Sequence, residues 1–328
     1  AAANISSWGG AVLYDRATSE YFMWATEIAG GCGMHAWTTN SQTIRASSAT
    51  ATGRYTREAV QVPIWSHEVN AVRGEKGEVV AFMSYHVPSP YPYCHNCTGG
   101  STNPECKKPP TSQTGPGVGR PEIEDTDPTF MTWSASPRGN WSTPVRISMA
   151  QPQMDTNFAP VILPNGTLIG LWRDHHPGGH HSTPHLVTAS HWKDPSSYRF
   201  ESAQLFSDKD VPGGIEDMFL WLDKRGHFHA LFHVMYDCDN CGGHAFSADG
   251  RSWHWGGIAY DAVVKYDDGS TFEFPYCERP HLVLGPDGTT PLALTNGVKP
   301  GWGIDADQSF TLLRPLNVPP APRPNRNP

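Results

Sequence analysis

The chain has 328 residues, 38% of them hydrophobic, and a net charge of −8. It contains no run of Lys and Arg, which excludes the usual basic footprint of a nucleic-acid binder, and no apolar run near the ~20 residues of a membrane helix. Gly 32 and Pro 30 fall in short clusters, a punctuation that suits many short strands and not long helices.

Taken in chain order, five hairpins are predicted. The first runs from Ser7 to Trp24, and the second from Ser66 to Tyr85 around Glu75-Lys76-Gly77. The third runs from Thr156 to Trp172 around Pro164-Asn165-Gly166, and the fourth from Ile215 to His233 around Asp223–Gly226. The fifth runs from Cys277 to Asn296 around Pro286-Asp287-Gly288. Each has a polar start, an apolar strand and, in the last four, a Gly-containing turn before a second apolar strand. Four of the five are followed by a second motif: Ala46–Tyr55, Trp133–Trp141, Thr188–Pro195 and Phe246–Trp253. This motif reads as a third strand, a turn and an aromatic residue opening a fourth strand.

Four antiparallel strands, repeated about every 60 residues, predict an all-β five-bladed β-propeller over residues 1–316. A β-sandwich is the alternative, but its strands need not repeat as units. Blade boundaries are expected near residues 60, 151, 210 and 270. Residues 86–127 interrupt blade 2 as an insert, expected to be an ordered cap over one mouth of the channel. Blade 5 shows three strands, the last near Phe310–Arg314, and residues ahead of Trp8 are expected to supply the fourth. Residues 317–328 form a Pro-rich tail of extended, polyproline-like character.

The seven cysteines include two Cys-x-x-Cys pairs, which could be zinc half-sites or loop disulfides. Asn4, Asn96, Asn140 and Asn165 are N-glycosylation acceptors beside turn residues. The two signals together favour a secreted, extracellular protein and disulfides. Cys94, Cys97 and Cys106 are expected to staple the insert, Cys238 and Cys241 to lie in a surface turn, and the odd count leaves one thiol over. The start at Ala1, with no leader pattern, reads as a mature chain.

At the Ala46–Tyr55 type motif and the polar starts of the inner strands, the chain resembles the five-bladed glycoside hydrolase superfamily of arabinanases, β-xylosidases and furanosidases. That resemblance implies a central channel where carboxylates at inner-strand starts act on a glycan: a base Asp in blade 1, an orienting Asp in blade 2 and an acid Glu in blade 3. Cleavage needs one carboxyl to protonate the leaving oxygen and one to act opposite it. Here blade 1 offers Trp8-Gly9-Gly10 with no carboxylate, blade 2 His67-Glu68 and blade 3 Asp155 and Asn157. Carboxylates return as Glu216 and Asp217 in blade 4 and Glu278 in blade 5.

The expected catalytic set is therefore Glu216 or Asp217 opposed to Glu68 or Glu278. Substrate-binding candidates are His67, Trp8, Arg173, His233, Arg279, His281 and Trp302, the two Trp because glycine neighbours leave their faces accessible. No cofactor is expected, although a structural divalent metal in the channel is left open. The His-rich run His175–His181 could bind metal but reads better as a polar channel-mouth loop. Two functions follow: a carbohydrate-active, glycoside hydrolase-like propeller, or a non-catalytic structural or glycan-binding subunit of an extracellular matrix, coat or filament, with self-association or matrix partners.

Overall fold

A computed structural model describes residues 5–64, 66–84, 129–147, 154–174, 183–206, 214–235, 241–266, 268–302 and 308–316. The insert 86–127 with Asn96, Cys94, Cys97 and Cys106, the His175–His181 loop, Asn4, Cys238 and the tail 317–328 lie outside these residues.

The architecture is a five-bladed β-propeller. Blade 1 comprises β1 (Ser6–Asp15), β2 (Glu20–Ile28), β3 (Ser41–Ser48) and β4 (Thr56–Val62). Blade 2 comprises β5 (His67–Arg73), β6 (Val79–Ser84), β7 (Thr129–Ser134) and the two-residue β8 (Val145–Arg146). Blade 3 has β9 (Met154–Ile162), β10 (Leu168–Asp174), β11 (Thr183–Ala189) and β12 (Tyr198–Gln204). Blade 4 has β13 (Ile215–Leu222), β14 (Phe228–Val234), β15 (Cys241–Ser247) and β16 (Trp253–Tyr260). A small ribbon, β17 (Val263–Lys265) with β18 (Thr271–Glu273), leads to blade 5: β19 (Tyr276–Leu284), β20 (Pro291–Lys299) and β21 (Phe310–Pro315). All pairings are antiparallel. The first strands β1, β5, β9, β13 and β19 touch one another in ring order, so they are innermost.

The core is divided among the blade interfaces. Phe22 and Trp24 pack on Val69 and Val79 between blades 1 and 2, and Phe82 on Phe158 and Trp172 between blades 2 and 3. Leu171 meets Leu220 and Phe232 between blades 3 and 4, Phe219 meets Leu282 between 4 and 5, and Met23 meets Val283 between 5 and 1. A strand covered on both faces carries a continuous apolar run, not an alternating one. That is why Val79–Met83 reads as it does, with every residue buried.

Two expectations on the ring and its bridges are corrected. Among the described residues blade 5 stays three-stranded, because the residues ahead of Trp8 already begin β1, the inner strand of blade 1. The ring is joined there by single bonds: Ser7 N donates to Ser309 O at 3.1 Å, and Thr311 N donates to Ser7 Oγ at 3.0 Å. Cys241 is not in a surface turn. It opens β15, paired with Val234, and is 3% exposed. Cys241 and Cys32 are each disulfide-bonded, and among the described residues Cys277 is a free, buried thiol.

Candidate functional site

Four of the five inner strands carry the same one-residue bulge, whereas β9 slips by two residues between Met154 and Phe158. In those four the ladder slips between Trp8 and Ala11, His67 and Asn70, Glu216 and Phe219, and Glu278 and His281. One residue inside each slip sits in the left-handed region: Gly9 at φ 63°, Glu68 at 54°, Asp217 at 56° and Arg279 at 53°. A β-bulge re-aims its side chain. A non-glycine residue held there costs about 1–2 kcal/mol and persists only where its surroundings fix it. Side-chain acceptors of other blades provide that fixing. Glu68 N donates to Thr26 Oγ1 at 3.2 Å, Asp217 N to Asn157 Oδ1 at 2.9 Å, and Arg279 N to Asp217 Oδ2 at 3.1 Å.

The bulges converge on Arg279. Its Nη1 lies 3.0 Å from Asp217 Oδ1, 3.4 Å from Asn157 Oδ1 and 3.5 Å from Glu68 Oε2. Arg279 and Asp217 are buried, and the Glu68 side chain is 10% exposed. The same arginine explains the missing blade 1 carboxylate. A Cβ on Gly9 would stand 2.9 Å from Arg279 Cβ and 3.4 Å from its Nε. Arg279 occupies the room a blade 1 side chain would need. Restoring the carboxylate as Gly9→Asp is accordingly expected to destabilise the chain by about 2 kcal/mol or more from the backbone conformation and the clash. A urea midpoint equal to that of the parent chain would contradict this packing.

A second group lies beside the first. Glu216 is ion-paired to Arg173 through Oε2, and its Oε1 accepts from His233 Nδ1 at 3.1 Å. Glu278 stands differently: among the described residues its carboxyl has no hydrogen bond or ion pair. One donor atom each from Glu216, Asp217, His233 and Glu278 lie within 4.8 Å of one another. Burial pushes the Glu278 carboxyl up to about 7, with His233 pulling down and Asp217 and Glu68 pushing further up. Burial also raises Asp217, against the pull of Arg279. Among the described residues these four have a spacing that could hold a divalent cation, while Arg173 and Arg279 already place two positive charges among the carboxylates.

All four carboxylates expected from the sequence are therefore brought together, with Arg173, His233 and Arg279 among them. The other candidates lie differently. His67 is buried, its Nδ1 2.7 Å from Ser41 Oγ and its ring 4.9 Å from that of Trp37. His281 is buried against Phe219, and burial together with Arg279 lowers it to about 3. Trp8 is 5% exposed beneath Gly297, whereas Trp302 is 68% exposed, its ring 5.3 Å from that of Tyr276. Asn157, a carbonyl acceptor for two blades, was not singled out as a binding residue by the sequence, and Thr26 carried no signal of its own.

No family model matches the sequence, and no curated protein does. Solved structures do match. An endo-arabinase from Bacteroides thetaiotaomicron VPI-5482 has a TM-score of 0.57 at 12% identity, covering 96% of this chain and 95% of that one. A family 117 glycoside hydrolase of Zobellia galactanivorans gives 0.59 at 11% identity, over 96% of this chain and 87% of that one. A thermostable family-43 glycoside hydrolase gives 0.55 at 11% identity, over 98% and 96%. What this chain shares with them is the five-bladed propeller fold, in agreement with the resemblance carried by its repeats.

Proposed function

We propose that this chain is a carbohydrate-active propeller that binds a glycan at the axial cluster and cleaves it as a glycoside hydrolase. The observation that carries the reading is the contrast between two neighbouring carboxyls. Glu278 is unpaired among the described residues and titrates at about 7, while Glu216 is held by Arg173 and His233. A carboxyl raised by burial beside one held in an ion pair supplies an acid and a carboxylate partner.

Their separation favours one route. Inverting pairs stand ~6.5–9.5 Å apart to admit a water, and retaining pairs ~5–5.5 Å. One oxygen of Glu216 and one of Glu278 lie within 4.8 Å of each other, a nearest-atom spacing compatible with the shorter class. In this reading Glu278 gives its proton to the leaving glycosidic oxygen as the C1–O bond breaks. A Glu216 oxygen bonds to C1. Water then attacks C1, Glu278 takes the water's proton, and Glu216 is released. Asp217 and Arg279 hold the bulges that aim both groups. The test is the anomeric proton of the first product by NMR, on arabinan- and xylan-derived oligosaccharides. Retention is expected; inversion would assign the chemistry to another pair.

A glycan-binding propeller without turnover is the second reading, favoured by Gly9, where the resemblance implies a base. In it the same cluster holds saccharide, and partners of an extracellular assembly or further copies of the chain use the outer faces.

The location proposed is extracellular. Disulfide-bonded Cys32 and Cys241 support it, as do the exposed acceptors Asn140 and Asn165. The insert is proposed to be pinned by Cys94, Cys97 and Cys106, and the tail to be an extended linker. Asn165 sits at a hairpin tip, where its Oδ1 accepts from Thr167 N at 3.0 Å. Native-source protein is expected to lose mass on glycosidase treatment, and an unchanged mass would remove the localisation.

A further inference from the structure

Away from the axis, blades 2 and 3 border an open pocket of about 400 Å³. Trp133 of β7 and Trp141 of the following loop form its aromatic walls, and Glu78, Lys193, Ser142 and Asn140 supply polar atoms. Lys193 Nζ lies 2.8 Å from Glu78 Oε1, 4.6 Å from the Trp192 ring centre and 6.0 Å from that of Trp133. Trp133 in turn meets Trp192 edge-on at 5.7 Å. Trp141 and Trp192 are the aromatic residues of the repeated motif, but the Glu78–Lys193 pair that joins blades 2 and 3 beside them belongs to neither the repeat nor the axial chemistry.

We propose that this pocket is a second saccharide-binding site, for a neutral glycan segment, on the blade 2–blade 3 rim. A sugar ring is amphipathic: its C–H face is apolar and its edge carries hydroxyls. A pocket with indole walls and a few convergent polar groups matches both, and its volume lies within the ~300–1,000 Å³ of small-ligand sites. The Glu78–Lys193 pair offers acceptors and donors with no net charge, which selects a neutral ring over a uronate or sulfate. The site is separate from the axis, since β7 lies two strand spacings, ~10 Å, outward from β5. A glycan touching both would be held at two points, which suits a polymer more than a short fragment.

The ring has two sources. It is part of a free polysaccharide, or it is the first sugar of a glycan on Asn140, which lines the pocket within the acceptor Asn140-Trp141-Ser142. The proposal does not require the axial cluster to be catalytic.

The test is titration of the full chain, as Asn140→Gln and unaltered, from a secretory host. Xylohexaose, arabinohexaose and N-acetylchitohexaose are the probes, followed by calorimetry and tryptophan fluorescence. One binding event is expected to weaken about tenfold or more in Trp133→Ala and several-fold in Lys193→Ala, and to be untouched by His233→Ala, which removes an axial side chain. Trp133 packs on Trp192, so the partly exposed Lys193→Ala and the near-isosteric Glu78→Gln keep the test valid if Trp133→Ala fails to fold. Binding seen only in Asn140→Gln assigns the pocket to the chain's own glycan; binding in both forms assigns it to free saccharide. The proposal is overturned if no probe shows binding that depends on Trp133, Lys193 or Glu78 and removing the Asn140 glycan leaves the fluorescence unchanged. Binding lost in axial variants but untouched by rim variants also overturns it, and leaves the axial reading standing. Rim-dependent binding with no axial binding does the reverse.

Discussion

Arg279→Met is expected to destabilise the folded chain by about 3–5 kcal/mol, read as a lowered urea midpoint at pH 7. Methionine keeps length and an unbranched stem, so it tolerates the backbone at 279 no worse than arginine does. What is lost is the cation shared by Asp217, 3.0 Å away, and Glu68, 3.5 Å away. Asp217 is 3% exposed and cannot turn to water for compensation. Removing one partner of a buried pair leaves the other charge uncompensated, which costs far more than a surface pair is worth. Arg279→Lys separates charge from geometry. It restores the cation without the fork that also reaches Asn157, so an intermediate loss is expected. A loss under about 1 kcal/mol for Arg279→Met would mean that the bulges are fixed by their backbone bonds alone.

Glu278→Gln is expected to lower turnover of a susceptible oligosaccharide by about 10²–10⁴-fold while leaving its affinity nearly unchanged, because an amide keeps the shape but has no proton to give. The same change is expected to stabilise the protein at high pH. The folded carboxyl titrates at about 7 against an ordinary 4.5. A raised carboxyl contributes stability that is complete below the ordinary value and lost as pH rises through the folded one. Glutamine imitates the protonated form at every pH. The variant should therefore match the parent at pH 4 and exceed it above pH 7, by on the order of 2–3 kcal/mol. Parallel stability curves would show that Glu278 is solvated like an ordinary carboxylate. Amide variants of Glu216, Asp217 and Glu68 complete the series, and full activity in all four would place the chemistry elsewhere.

The blades were legible because each repeats one pattern: a polar start, an apolar strand, a glycine turn and a second apolar strand. That pattern is local, and it located the inner strands at His67, Glu216 and Glu278 to within two residues of where β5, β13 and β19 begin. The carboxylates could be chosen from their positions alone. Their division of labour could not. That Asp217 is clasped by Arg279 while Glu278, one residue before that arginine, stands unpaired among the described residues depends on left-handed backbone at Asp217 and Arg279, which no residue type announces. Gly9 is the instructive case. In the sequence it is a lost carboxylate; in the fold it is the only residue type that leaves room for Arg279. Trp8 shows the opposite failure, since its glycine neighbours suggested an open face. One neighbour in space, Gly297, instead lets its ring pack inside. The β17–β18 ribbon and the buried Cys241 were missed because short exposed strands and half-cystines carry no periodicity.

The most direct measurement is the titration of the Glu278 carboxyl carbon by ¹³C NMR, assigned by comparison with Glu278→Gln, with and without a bound oligosaccharide. A midpoint near 7 that moves when saccharide binds is the expected result, because it requires both the unpaired carboxyl and a glycan at the axis. A midpoint near 4.5, or one that no saccharide displaces, would contradict the assignment of the axial cluster as the sugar site.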